Sequence, residues 1–110
     1  GFNRTIVDCD PTAHAEMVAI RHAAKTISNH RLNQATVYVT LEPCAMCIGA
    51  LLQARIKRLV YGASDPKAGA AGSVMDLSNL PELNHAIEIE KGILQDECAE
   101  ILRAFFRARR

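Results

Sequence analysis

The sequence predicts a single α/β domain in which helices pack against a mostly parallel sheet. Between residues 35 and 62 a β-branched segment, a helical pattern and a short apolar segment follow one another. Strand, helix and strand in this order imply parallel pairing of the two strands. The length of 110 residues is sufficient for one domain with its own core. No internal repeat or linker indicates a second domain.

The first predicted helix runs from about Pro11 to Lys25. Asp10 is placed to cap this helix, and Pro11 suits the first helical position, where its missing N–H costs nothing. Apolar residues then recur at helical spacing, with basic residues on the other side. Residues 29–34 are polar and non-periodic, so we expect a loop there.

The central part of the chain predicts two strands and the helix that connects them. Residues 35–41 alternate valine with threonine and tyrosine, which is typical of a strand. Pro43 marks the start of the second helix, whose apolar positions continue to Ala54. The apolar segment 59–62 is short and ends in glycine, which predicts a buried strand.

The last third of the chain predicts a loop-rich segment, a strand and a helix. Residues 64–81 are rich in loop-forming residues and leave room for one short helix at most. Residues 87–90 alternate isoleucine with glutamate and predict a half-exposed strand that Gly92 ends. A final helix is predicted to face the core with an apolar stripe. The stripe consists of Leu94, Cys98, Ile101, Leu102 and Phe105.

Composition and charge exclude several classes of protein. Apolar residues make up 49% of the chain and charged residues 23%, as in an ordinary globular protein. No segment approaches the roughly 20 apolar residues of a membrane-spanning helix, and the first residues do not resemble a secretory signal. We therefore expect a cytoplasmic protein. The net charge of +1 does not by itself indicate a nucleic-acid partner.

Arginines are concentrated near the C-terminus, around Phe105 and Phe106. These cations complement the dipole of the last helix, or they contact RNA phosphates, and the sequence leaves both interpretations open. Phe106 lies one step off the apolar stripe, which makes it a candidate for base stacking or a partner contact. The arginines are Arg103, Arg107, Arg109 and Arg110.

Two short motifs together predict a catalytic zinc site. His14 and Glu16 form a His-x-Glu motif, and Cys44 and Cys47 form a Cys-x-x-Cys motif directly after Pro43. Zinc prefers four ligands, and one imidazole with two thiolates leaves the fourth position free for water. Both motifs fall at predicted helix starts, whose partial positive charge is expected to favour the thiolate form of the cysteines. The predicted metal ligands are therefore His14, Cys44 and Cys47.

Charge counting assigns the remaining carboxylate to proton transfer. Zinc with two thiolates and a neutral imidazole carries no net charge, so it acidifies water less than a three-histidine site does. A nearby base is then more necessary. We expect Glu16 to be the catalytic residue that accepts this proton and returns it to the substrate.

Other interpretations of the same residues stay open at this point. A structural zinc site would need a fourth ligand, for which Cys9, Cys98 and His85 are the candidates. A thiol–disulfide couple would use Cys44 and Cys47 but would leave the His-x-Glu motif without a role. A further possibility is a non-enzymatic RNA-binding module in which zinc only stabilises the fold.

Three segments and the C-terminal residues resemble the bacterial tRNA-specific adenosine deaminases. The segments are 10–16 (DPTAHAE), 39–47 (VTLEPCAMC) and 67–73 (KAGAAGS), and Phe105, Phe106 and Arg107 follow near the end of the chain. The resemblance implies a three-layer α/β/α cytidine-deaminase-like fold, one zinc ion per chain and a homodimer. It implies conversion of adenosine to inosine at the wobble position of a tRNA anticodon, with Glu16 as the proton shuttle. A deaminase of free cytosine or guanine, as base or nucleoside, is the nearest alternative.

The resemblance also implies substrate contacts and a longer domain. Asn3 and Ala15 match substrate-binding positions of the family, Asp65 lies in a loop that contacts the nucleotide, and Phe106 is the fourth expected contact. Members of the family normally have a helix and two strands before the position of Gly1, and those strands flank the strand predicted at 35–41. We therefore expect residues 1–110 to form a zinc-dependent deaminase domain that is N-terminally incomplete, with an open strand edge.

Overall fold

The structure of the chain, a computed structural model, describes residues 1–108. Arg109 and Arg110, which belong to the C-terminal arginine group, lie outside the described residues. The described part contains three helices and three strands in the order α1 (Ala15–Ile27), β1 (Thr36–Leu41), α2 (Ala45–Ala54), β2 (Arg58–Ala63), β3 (Glu88–Lys91) and α3 (Gln95–Ala108). No helix within residues 1–108 has the length and apolar character needed to cross a membrane.

The three strands form one parallel sheet in the order β1-β2-β3. Leu59 in the central strand β2 lies opposite Val37 of β1 and Ile89 of β3. The prediction of parallel strands connected by a helix is therefore confirmed. Among residues 1–108, β1 pairs only with β2, and the side chain of Tyr38 on this outer strand is 74% exposed.

Helices cover both faces of the sheet. On one face, Leu59 and Tyr61 pack in a buried cluster with Ile48 and Leu51 of α2. Successive side chains of a strand point to opposite faces, so Gly62 belongs to the other face, where it contacts Cys98 of α3. This arrangement confirms the predicted three-layer α/β/α architecture.

The first helix begins later than predicted, at Ala15 rather than Pro11. The carboxylate of Asp10 does not cap a helix. It accepts hydrogen bonds from the Thr12 amide (2.9 Å) and hydroxyl (2.7 Å), which stabilise a turn instead. His14 consequently lies outside the helix, in an extended conformation with φ −67° and ψ 156°, and forms the N-cap.

Residues 64–81, all of which the structure describes, form turns and contain no helix, so the prediction of a loop-rich segment is confirmed. One further prediction is corrected in the second half of the chain. The apolar stripe of α3 is only partly covered, since Leu94, Ile101 and Phe105 are exposed and Cys98 and Leu102 are half-buried. Within residues 1–108, the main contacts of α3 are with β2 and β1.

Candidate metal centre

The two predicted motifs lie at the starts of α1 and α2. His14 is the N-cap of α1 and Cys44 is the N-cap of α2, where its backbone is extended (φ −77°, ψ 176°). Pro43 favours this local structure, because a proline disfavours the helical conformation of the residue before it and so helps to separate strand from helix. Neither N-cap side chain bonds to its own helix, so both can serve another partner. Cys47, in the first turn of α2, is fully buried.

The geometry of the three predicted ligands fits a tetrahedral zinc ion. His14 Nδ1 lies 3.6 Å from Cys44 Sγ and 3.5 Å from Cys47 Sγ, and the three ligand atoms all lie within 4.8 Å of one another. Zinc bonds of about 2.0 to 2.1 Å to nitrogen and about 2.3 Å to sulfur, at a tetrahedral angle, put the two atoms about 3.6 Å apart. The observed separations therefore match a zinc site.

Within residues 1–108 this cluster contains three ligating residues and no fourth. The three candidates for closing a structural site are engaged elsewhere. The thiol of Cys9 is directed to the Ile6 carbonyl (3.8 Å), His85 Nε2 lies 2.6 Å from the Ile56 carbonyl oxygen, and Cys98 packs against Gly62. Three protein ligands are typical of catalytic zinc sites, which keep one position for water or substrate.

Glu16, the second residue of α1, lies close to the sulfur atoms. Burial, followed by the negative charges of Glu16 and Cys44, raises the pKa of the Cys47 thiol well above its ordinary value. This result corrects the expectation that the helix start alone favours the thiolate of Cys47. A bound divalent cation would instead lower the pKa of the Cys47 thiol, because a thiol that coordinates a metal is deprotonated.

Backbone N–H groups of both helix starts border the cluster. The first intrahelical bonds run from Val18 N to His14 O and from Ile48 N to Cys44 O, each 3.0 Å long. The amides of residues 15–17 and 45–47 precede these bonds, and such amides are available to external acceptors. Ala15, one of the predicted substrate contacts, is the first residue of α1 and therefore carries one of these amides.

The other three predicted substrate contacts occupy different places. Asn3 forms a turn, in which its Oδ1 accepts hydrogen bonds from the Thr5 amide and hydroxyl, each 2.9 Å long. Asp65 also forms a turn, in which its Oδ1 accepts from the amides of residues 67 and 68. Phe106 lies in α3, is 57% exposed and contacts the Phe105 ring edge-on with centroids 5.4 Å apart. Their roles in substrate binding stay predictions.

Sequence reasoning assigned no role to Glu42, which lies two residues before Cys44. Glu42 is 2% exposed, and its carboxylate accepts hydrogen bonds from the Asp65 and Ala71 amides and from the Ser73 amide and hydroxyl. Burial would raise the pKa of Glu42, but these hydrogen bonds outweigh it and hold the pKa below its ordinary value. No local signal indicated this role, because the donors belong to the loop after β2, more than 20 residues further along the chain.

The fold and the cluster define a class of protein. A parallel sheet between two helical layers, with a His-Cys-Cys cluster at two helix starts, is the architecture of a cytidine-deaminase-like α/β domain. The chain belongs to the MafB19-like deaminase family, which matches residues 2–110.

Individual relatives agree with this assignment. The tRNA-specific adenosine deaminase of Haemophilus influenzae is 54% identical to the chain over 110 residues, which are 100% of this chain and 64% of that protein. A solved structure from a study of A-to-I editing by tRNA deaminases at the wobble position of transfer RNA has a TM-score of 0.88 and 46% identity. The matched region covers 92% of this chain and 73% of the chain in the solved structure. The predicted resemblance to tRNA-specific adenosine deaminases is thus confirmed.

A more distant solved structure is the guanine deaminase from Nitrosomonas europaea. Its TM-score is 0.71 at 27% identity, over 96% of this chain and 63% of that one. The chain therefore spans less than two thirds of the length of the Haemophilus influenzae protein and of this guanine deaminase.

Proposed function

We propose that the protein catalyses zinc-dependent hydrolytic deamination of adenosine to inosine at the wobble position of a tRNA anticodon. The observation that supports the metal most strongly is the separation of His14 Nδ1 from the two sulfur atoms, 3.5 and 3.6 Å. Similarity to tRNA-specific adenosine deaminases supports the substrate. His14, Cys44 and Cys47 would hold one zinc ion per chain.

The chain supplies three functions to this reaction. Zinc in the site would act as a Lewis acid that lowers the pKa of a water molecule. The carboxylate of Glu16 would carry both water protons in turn, the first to purine N1 as the C6–O bond forms and the second from the new hydroxyl group to the amine. The C6–N bond would break after this second transfer, so adenosine and water give inosine and ammonia. Amides at the two helix starts would stabilise negative charge near the reacting carbon.

The proposed partners are tRNA and a second copy of the chain. The tRNA would be bound through its anticodon stem-loop, with Asn3, Ala15, Asp65 and Phe106 as substrate contacts. The proposal includes a homodimer in the cytoplasm, where tRNA is available. Light scattering at working concentration tests the dimer, and a monomer at that concentration would contradict it.

A Glu16→Gln variant tests the role of Glu16. Glutamine keeps the size of the side chain but does not accept a proton, so turnover should fall by roughly 10²- to 10⁴-fold while zinc content and folding are retained. The matched control is Glu88→Gln, which changes an exposed glutamate at the start of β3. Unchanged deamination by Glu16→Gln would remove this residue from the mechanism. Absence of deamination by the unaltered, zinc-loaded chain would instead favour a module in which zinc only stabilises the fold.

A substrate comparison tests the second candidate, deamination of a free base. The structural similarity to a guanine deaminase is the observation that favours this alternative. The assay offers an anticodon stem-loop, free adenosine and free guanine separately and measures inosine or xanthine. Conversion of the hairpin alone supports the proposal, whereas conversion of guanine alone would replace it.

Metal analysis in reducing buffer tests the remaining alternative for Cys44 and Cys47. The proposal requires one zinc ion per chain, which is lost when His14 is replaced by alanine. A stoichiometric thiol–disulfide couple in zinc-free protein would favour redox chemistry instead.

A further inference from the structure

The buried carboxylate of Glu42 forms the main connection between the metal-binding segment and a distant loop. Four hydrogen bonds converge on its two oxygens. Oε1 accepts from the Asp65 amide (3.0 Å) and the Ser73 hydroxyl, and Oε2 accepts from the Ala71 amide (2.9 Å) and the Ser73 amide (3.1 Å). All four donors belong to residues 65–73, which we call the 65–73 loop.

Two more contacts keep this loop close to the metal ligands. The Ala70 amide donates to the Pro43 carbonyl (2.9 Å), and Pro43 directly precedes Cys44. Gly69 lies so close to the carboxylate that an added Cβ would be 2.5 Å from Glu42 Oε2 and 2.6 Å from the Asp65 carbonyl oxygen. The loop is therefore held by the two residues that connect β1 to Cys44.

The number of donors explains why a carboxylate stands here. Two oxygens with two acceptor positions each satisfy four donors, whereas glutamine offers one oxygen and an amide that is itself a donor. In a Glu42→Gln variant, at least two loop donors would face the side-chain NH2 group, which is a donor and does not accept hydrogen bonds. The same four bonds occupy both oxygens of Glu42, so this residue is not available to move protons as Glu16 is proposed to do.

On the basis of the proposed function, we infer that Glu42 is a positioning residue that holds the 65–73 loop against the metal centre and thereby sets the affinity for the nucleotide. The loop contains Asp65, a proposed nucleotide contact, and the exposed residues Lys67, Ala68 and Ser73. Displacement of a substrate-contacting segment by about 1 Å can cost about 100-fold in catalytic efficiency, kcat/KM, and loss of a binding contact enters this ratio through KM. Loss of the Glu42 contacts should weaken substrate binding without removing the metal ligands or Glu16.

The test compares Glu42→Gln with the unaltered chain, both loaded with zinc, and uses Glu88→Gln as the control. We expect retained zinc, faster hydrogen exchange at the amides of Asp65, Ala71 and Ser73, and a KM for the hairpin raised by about 10- to 100-fold. The change in kcat should be smaller than the change in KM. A purely structural role would reduce the fraction of active protein and kcat without raising KM.

Two milder variants keep the inference testable if Glu42→Gln does not fold. Ser73→Ala removes the hydroxyl donor and leaves three amide donors, so KM should rise by about 3- to 10-fold. Gly69→Ala leaves the carboxylate intact but forces the loop away from it, and should raise KM in the same direction. An unchanged KM in the folded variants would overturn the inference, as would a fall in kcat at constant KM.

The exchange measurement needs no substrate, which separates this inference from the proposed function. If the unaltered chain converts neither hairpin nor adenosine, the proposed function fails. Faster exchange at Asp65, Ala71 and Ser73 in Glu42→Gln still supports the positioning of the loop by Glu42. Unchanged exchange in a folded variant overturns the inference, whatever the activity.

Discussion

Replacing Gly62 with alanine tests how α3 is held on the sheet. An added Cβ would lie 2.8 Å from Cys98 Cβ and 2.9 Å from the Ile93 carbonyl oxygen, and the nearest atom is Cys98 Sγ. Separations below 3 Å require a neighbour to move, and one of these neighbours is backbone. Overpacking of this kind costs about 1 to 3 kcal/mol. With about 2.1 cal/mol/K of unfolding entropy per residue, each kcal/mol corresponds to about 4 °C, so Tm should fall by about 4 to 13 °C.

Gly49 provides a matched control in the same chain. It lies inside α2, and an added Cβ would meet no atom within 4 Å. Alanine restricts the unfolded chain more than glycine and favours the helix, so Gly49→Ala should stabilise the fold by about 0.5 to 1 kcal/mol. The two substitutions are chemically identical and have opposite expected signs.

Thermal and urea unfolding of both variants measure this difference. Replacing Cys98 with alanine in the Gly62→Ala background removes the nearest atom and should recover part of the lost stability. A Gly62→Ala variant as stable as the unaltered chain would refute the packing of α3 described above. Destabilisation by Gly49→Ala would instead refute the glycine argument itself.

Three other predictions concern charge. Burial raises the pKa of Cys47, so zinc binding must release the proton of this thiol. Zinc affinity, measured by chelator competition, should therefore increase about tenfold per pH unit for each proton released. An affinity that does not depend on pH would contradict this prediction. Glu100 pairs with Arg107 (2.8 Å) and Arg103 (3.5 Å), so Glu100→Gln should free both cations and strengthen hairpin binding. The slope of log affinity against log salt concentration should steepen by about 0.7 for each added phosphate contact. An unchanged slope favours the interpretation that the arginines only complement the helix dipole. The pKa of Glu42 is held below its ordinary value of 4.5 in the folded chain. The stability that this carboxylate contributes is therefore present above pH 4.5 and is lost as the pH falls through the lower folded pKa. Between neutral and acidic pH, the free energy of unfolding should fall less for Glu42→Gln than for the unaltered chain.

The parallel sheet and the metal ligands were predictable because they depend on local patterns. Alternation of side chains marks β1, and the order of strand, helix and strand fixes its parallel pairing with β2. The positions of Cys44 and Cys47 follow from a proline that separates a strand from a helix. His14 and Cys44 meet because both start a helix at the same side of the sheet.

The start of α1 and the exposure of α3 could not be predicted, because both depend on interactions that the pattern of apolar residues does not show. Asp10 is favourable both as an N-cap and as a turn residue, and its bonds to Thr12 decide for the turn. The stripe of α3 has helical periodicity, but periodicity identifies an apolar face and not what covers it. The exposure of Ile101 and Phe105 therefore becomes visible only in the folded chain.

Glu42 was missed because its role depends on pairing across a long separation in sequence. The motif around Cys44 identifies a glutamate next to a ligand, but the donors that bind it come from the loop after β2. The His-x-Glu motif assigned a role to Glu16, whereas no local motif assigned one to Glu42. In the structure Glu42 accepts four hydrogen bonds, and the negative charge of Glu16 contributes to the raised pKa of the Cys47 thiol.

The separation of these two carboxylates has a consequence for how the site can fail. The metal ligands are held by the starts of α1 and α2, whose intrahelical bonds do not involve Glu42. The 65–73 loop, in contrast, depends on Glu42 and Pro43 for its contacts with the metal-binding segment. Local opening should therefore release the loop before it disturbs the ligands. Zinc content and the hydrogen-exchange protection of the 65–73 loop amides are then independent measurements. A variant that keeps its zinc but loses this protection has a defect in substrate positioning rather than in the metal centre.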